Sequence, residues 1–269
     1  MKIGIIDADL LERRNHRFPD LAAMKISGYY KGKGNPVELL FDYETISDFD
    51  RVYISKVFSG TGETGKLTEE ILKSPNVFYG GTGFFYDQAQ PLSDEIEHQM
   101  PDYHLYDRWL EKQKEKNVSA NSLKFYQDYS VGFLTRGCFR HCPFCVNKNS
   151  SRSVPASPLE EFMDSEKKKL CFLDDNFLAC SEWDRILESV LNSGKPFQFK
   201  QGLDIRIITR KQIKMLFAGK ILEDTYFAFD DIKDAEVIEN KLELLRSTVE
   251  NPKARIKAYI LCGYDRTGK

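Results

Sequence analysis

Three cysteines, Cys138, Cys142 and Cys145, fall within eight residues of one another in the stretch GFLTRGCFRHCPFCVNK. Thiols spaced this way, in a chain that opens without a secretion signal, suit a metal ion or an iron–sulfur cluster better than disulfides. Three is the informative number, because an iron–sulfur cube held by three thiolates leaves one iron open to bind something else. Two neighbouring chemistries fit less well. A zinc site of Cys3His type would draw on His141, which lies too close to Cys138 and Cys142 for finger geometry, and no second Cys-x2-Cys knuckle flanks the loop. A bacterial ferredoxin pattern needs a Cys-x2-Cys-x2-Cys-x3-Cys-Pro run with a fourth local thiolate, which the sequence does not supply.

The elements that must carry this loop read as two alternating series. In the first, KIGIID (2–7), VELLFD (37–42), RVYISKVF (51–58) and NVFYGG (76–81) are short strands. Helical text stands between them at LAAMKISGYYKGKG (21–34) and TGKLTEEILKS (64–74). Strands joined by helices imply parallel pairing with helices on the faces, so residues 1–98 read as a small doubly wound, Rossmann-like α/β domain. Residues 99–127 read as a linker with one helix, whose charge run from Glu111 to Lys116 is a solvated face. The second series, 128–269, starts with DYSVGFLT leading into the cysteines. KLCFLDDN (169–176), FQFKQG (197–202), DTYFAFDD (224–231) and ARIKAYILCG (254–263) follow as strands. Helix starts are signalled at Ser157-Pro158-Leu159-Glu160, at Ser181 to Asp184 and at Thr209-x-x-Gln212, and a further helix spans Ala235–Arg246. Five strands with four helices make a curved, barrel-like parallel sheet with its chemistry beyond the strand C-termini. The text stops before a sixth strand, which suggests an open or shortened barrel.

Composition bounds the rest. With 269 residues, 41% of them hydrophobic, the chain is long enough for a substantial core. The formal charge of −2 balances 39 basic against 41 acidic residues, so charge gives no support to a nucleic-acid or acidic-membrane partner. Residues 1–11 read as a strand interrupted by Asp7 and Asp9, not as a signal peptide, and no apolar run reaches membrane-spanning length. Cys171, Cys180 and Cys262, scattered near strand ends, read as small buried thiols in a reducing, cytoplasmic protein.

The cysteine loop resembles that of the radical S-adenosylmethionine family, whose hallmark is Cys-x3-Cys-x-aromatic-Cys after the first barrel strand. The matching residues here are Cys138, Cys142, Phe144 and Cys145. The resemblance implies a partial (β/α)6 barrel ending at its fifth strand and a [4Fe–4S] cluster on the three cysteines. It further implies S-adenosylmethionine on the open iron, with Phe144 near the adenine, and an external electron donor such as flavodoxin or ferredoxin. Asp174, Asp175 and Asn176 stand where the family carries a Gly-Gly-Glu-like segment that accepts from the methionyl amine. By the same resemblance Arg206 meets the methionyl carboxylate and Gln201 the substrate, with Asp204 in the same strand-end segment. Asp230, beside Asp231, contacts ribose or substrate, and Gly263 remains of the family's fifth-strand glycine pattern.

The amino-terminal half is similar to the cobalamin-binding-like domain of one branch of that family, through Phe18-Pro19-Asp20-Leu21-Ala22-Ala23, Ser55 to Phe58, Gly80-Gly81-Thr82-Gly83, Asp94-Glu95-Ile96 and Pro101-Asp102-Tyr103. Cobalamin itself is a weaker expectation, because no Asp-x-His-x-x-Gly element is present and His16 lacks that context. Two runs, Gly60 to Lys66 and Gly263 to Lys269, mimic a phosphate loop, but in the first Leu67 replaces the magnesium-binding hydroxyl. The expected activity is reductive cleavage of S-adenosylmethionine to a 5′-deoxyadenosyl radical acting on an unknown substrate. The alternatives are a non-catalytic iron–sulfur electron-transfer or regulatory protein and a cobalamin-dependent radical methyltransferase.

Overall fold

The computed structural model describes the chain except residues 14–15, 62–64, 223, 252–253 and 263–269. Gly263, the second phosphate-loop mimic and the centre of the first therefore lie outside the described residues. The chain divides into two units, Met1–Asp128 and Tyr129–Lys269.

The first unit is built on a parallel sheet of β1 (Ile3–Asp7), β2 (Val37–Leu39), β3 (Arg51–Ser55) and β4 (Val77–Gly80), in the order β2-β1-β3-β4. Central β1 is buried along its whole length, as a strand covered on both faces must be. Its side chains alternate. Ile3 and Ile5 join the cluster with Met24, Tyr30 and Tyr106, whereas Ile6 joins Leu40, Phe49 and Val52 on the other face. A short helix, α1 (Ala8–Glu12), follows β1, and α2 (Leu21–Gly32) starts where Asp20 accepts from Ala23 N at 2.9 Å. Glycine is required at position 28 of α2, since a Cβ there would stand 2.2 Å from Met100 O. Three short helices follow in sequence, α3 (Glu69–Leu72), α4 (Thr82–Phe85) and α5 (Asp94–Glu97). The stretch read as a one-helix linker carries two helices, α6 (Asp107–Glu115) and α7 (Ala120–Gln127). Leu110, Leu123 and Tyr126 of these helices lie in the same cluster as Ile3 and Ile5, so apolar burial recruits the stretch into this unit.

The second unit opens with β5 (Tyr129–Gly132). Next come the two-residue strands β6 (Thr135–Arg136) and β7 (Val154–Pro155), then β8 (Lys169–Phe172), α8 (Trp183–Asn192) and β9 (Phe197–Phe199). It continues with α9 (Arg210–Ala218), β10 (Asp224–Phe229), α10 (Ala235–Thr248) and β11 (Arg255–Ile260). All pairings among the five longer strands are parallel, in a ladder that among the described residues is interrupted. β5, β8 and β9 form one sheet, β10 and β11 another, joined by single bridges at Phe197–Ile221 and Leu203–Phe227. The core is rich in phenylalanine, with Phe172 and Phe177 both packed on Phe199 at ring-centre distances of 5.3 and 4.8 Å. The capping box at Thr209 and Gln212 forms as expected. Ser157 does not cap a helix: its N–H and that of Ala156 bond the carbonyls of Phe133 and Leu134, so the segment runs extended and only a 3-10 turn, Leu159–Glu161, follows. Cys171 and Cys180 are buried, but Cys262 is exposed.

Candidate functional site

The cysteine loop leaves the sheet at β5 and is closed by the antiparallel pair β6–β7, Thr135 against Pro155 and Arg136 against Val154. Gly137 turns the chain into the loop at φ +88, where a Cβ would stand 2.3 Å from Arg152 O, so this position needs glycine. Two carboxylates beyond β8 fasten the entry. Asp174, 4% exposed, accepts from Leu134 N (3.3 Å), Thr135 N (2.7 Å) and Thr135 Oγ1 (2.7 Å). Asp175 accepts from Gly137 N and from Asn147 Nδ2, at 2.7 and 2.6 Å. Burial pushes Asp174 up to about 7 against the hydrogen bonds of Thr135, and raises Asp175 as well.

Inside the loop, Cys145 N closes a turn on Cys142 O at 3.0 Å. Backbone N–H groups two residues on reach two of the sulfurs, Arg140 N to Cys138 Sγ at 3.3 Å and Asn147 N to Cys145 Sγ at 3.4 Å. At Cys145 the Asn147 donor opposes burial without overcoming it. Burial raises the Cys142 and Cys145 thiols; for Cys142 the charges of Asp230 and of the other two sulfurs add to this. The three thiols thus share one electrostatic neighbourhood. Among the described residues, however, no three or more His, Cys, Asp or Glu side chains are arranged to hold a metal ion. Thiolates on one ion stand about 3.8 Å apart, from bonds of about 2.3 Å at tetrahedral angles; in a cubane each sulfur takes its own iron and the three stand wider. His141 is engaged otherwise, its Nδ1 paired with Lys148 O at 2.7 Å.

A polar network adjoins Cys138. Asn176 Nδ2 lies 3.4 Å from both Cys138 Sγ and Asp204 Oδ2, while Asn176 Oδ1 is buried with no hydrogen-bond partner among the described residues. Asp204, in the loop after β9, accepts from Arg140 Nε at 2.7 Å and from Arg206 Nε at 2.6 Å, and Arg206 continues to Asp234 at 2.6 Å. Burial opposes ionisation of Asp204, but Arg206 and Arg140 hold it below the usual carboxylate range. Asp230 is half-buried and raised by burial, with Arg206 opposing. Asp231 caps the following turn by accepting from Lys233 N. Phe144 is half-buried and Gln201 exposed.

Of the residues singled out in the sequence, Cys138, Asn176, Asp204 and Arg206 are joined by direct contacts. Asp174 and Asp175 spend their oxygens on the loop's own amides and on Asn147. Arg140, Asn147 and Asp234 escaped notice. A cation between two of the cysteines was the available signal for Arg140; nothing in the sequence marked the other two.

No family model and no curated protein matches the chain. Among solved structures it is similar to the radical S-adenosylmethionine methyltransferase TsrM from Kitasatospora setae, solved with tryptophan substrate and the analogue aza-SAM bound. The TM-score is 0.60 at 11% identity, covering 96% of this chain and 66% of that one. At that identity the likeness is one of fold: this chain is a mixed α/β protein with parallel sheets, similar to the radical S-adenosylmethionine fold.

Proposed function

We propose that the chain is a radical S-adenosylmethionine enzyme in which Cys138, Cys142 and Cys145 hold a [4Fe–4S] cluster. The observation that carries this reading is a loop with three thiols in one electrostatic neighbourhood, two of them already accepting N–H groups, on a fold of this type. When bound, the cluster and S-adenosylmethionine supply one-electron cleavage of the sulfonium to methionine and a 5′-deoxyadenosyl radical. The chain's own part is to hold and orient. Asn176 Oδ1, buried and unsatisfied, offers an acceptor to a cationic amine, a role that Asp174 and Asp175 leave to it because their oxygens are committed. Arg206 and Arg140 are cations suited to a carboxylate, although Asp204 already engages both. Asp230 and Gln201 would face ribose or substrate, and Phe144 the adenine. An external donor such as flavodoxin or ferredoxin would deliver the electron.

Cobalamin fits less well. The side chain of His16, between α1 and α2, is only 9% exposed and faces Asp7 at 3.6 Å, so it is not presented as a lower-face ligand.

The test is chemical. Anaerobically reconstituted protein, given S-adenosylmethionine and a strong reductant, releases 5′-deoxyadenosine, and Cys142→Ala abolishes the release. A chain that carries the cluster yet never releases 5′-deoxyadenosine would instead be an iron–sulfur electron-transfer or regulatory protein.

A further inference from the structure

Asn176 sits between two acceptors. Cys138 Sγ and Asp204 Oδ2 each lie 3.4 Å from its Nδ2, and neither a thiolate nor a carboxylate has a proton to offer. Only the NH2 end of the amide satisfies both, so its orientation is dictated by its neighbours' chemistry. The turn of the amide that puts NH2 on the sulfur also sends Oδ1 to the other side, where it is buried without a partner among the described residues.

Asp204 is itself fixed. Its two oxygens are held by different arginines, Oδ2 by Arg140 of the cysteine loop and Oδ1 by Arg206, whose far side is anchored by Asp234. With 4% of its surface exposed and both arginines against it, the carboxylate has little freedom to rotate away from Asn176. Hydrogen bonds to ligating sulfur are among the factors that set an iron–sulfur reduction potential, because an N–H donor withdraws charge from the sulfur and favours the reduced state.

We propose that Asp204 is a positioning residue that raises the reduction potential of the cluster through Asn176, by holding the amide with its NH2 toward Cys138 Sγ. The proposal rests on the cluster assignment above and adds to it a specific tuning contact on one of the three sulfurs. It competes with a plainer role, in which Asp204 only neutralises Arg140 and Arg206. The two roles predict opposite signs. A buried negative charge near the cluster disfavours reduction, so removing it for charge reasons alone raises the potential; removing the support for an N–H donor lowers it.

The experiment is an anaerobic potentiometric titration of the reconstituted cluster followed by electron paramagnetic resonance, with iron and sulfide content as the check on folding. Asp204→Asn is expected to move the midpoint to a more negative value. In an Asn176→Leu background, where no amide remains to be positioned, the same substitution moves it to a more positive value or leaves it in place. Asn176→Leu alone keeps both arginine contacts of Asp204, protects the test against misfolding of Asp204→Asn, and is expected to give a more negative midpoint. A positive or null shift in Asp204→Asn, or no shift in Asn176→Leu, overturns the proposal while leaving the cluster assignment intact. Wild-type protein that takes up no cubane overturns both.

Discussion

Asp20 has two tasks at the start of α2. Its Oδ1 caps the helix on Ala23 N, while burial, with the charges of Asp7 and Asp9, pushes its carboxyl up to about 6. The folded chain therefore binds this proton more firmly than the unfolded chain, whose carboxyl titrates near 3.8. The resulting stabilisation is complete below about pH 3.8 and is lost as pH rises through about 6. His16 acts in the same sense. Burial disfavours its imidazolium, but Asp7 more than offsets this and raises it above 6.5, so its contribution fades above that pH. Asp20→Asn keeps the cap, since asparagine serves equally well at that position, and removes the titration. Between pH 5 and 7.5 the wild-type protein is expected to lose more protection of the α2 amides from hydrogen exchange than Asp20→Asn does; equal losses would refute the assignment. At this scale the sequence marks the three cysteines as candidates by residue type and local spacing, and their ligation of a cluster stands as a proposal. The sequence was not legible for Arg140 and Asn147, whose partners Asp204 and Asp175 lie 64 and 28 positions away and meet them only in the fold.

Among the elements, the join between β5 and the cysteine loop is tightly specified. A Cβ on Gly132 would stand 2.4 Å from Cγ of Phe162, a ring only 1% exposed and packed edge-on against Phe172. Gly132→Ala must displace that ring and is expected to cost about 1–3 kcal/mol in denaturant unfolding. Because Cys138 lies six residues on, the same variant should also retain less iron after reconstitution. An unchanged unfolding midpoint would contradict the packing described here. Strand positions were readable from short apolar runs between breakers, and the Thr209–Gln212 box from its spacing, because both are local preferences. The Ser157 signature misled for a tertiary reason, the pairing of Ala156 and Ser157 with Leu134 and Phe133, which straightens the backbone before a helix can start. α6 and α7 were harder to assign, since α6 is polar over most of its surface and buries only Leu110.

For the chain as a whole, parallel sheets were legible from the alternation of strand and helix text, whereas the interruption of the second sheet among the described residues was not. β9 ends at Phe199, and among the described residues the next bridge onward is that of Leu203 to Phe227. Just beyond it Asp204 meets Asn176 and pairs with Arg206. Among the described residues no helix is long and apolar enough to cross a membrane. The proposed binding of S-adenosylmethionine at one open vertex of the cluster is read by electron–nuclear double resonance on the reduced, reconstituted protein. The probe is S-adenosylmethionine carrying nitrogen-15 in its amine and oxygen-17 in its carboxylate. Hyperfine coupling from both labels, lost in Cys138→Ala, is the predicted result. A cluster spectrum indifferent to both labels, or three cysteines found holding one zinc in protein prepared without oxygen, would contradict the account.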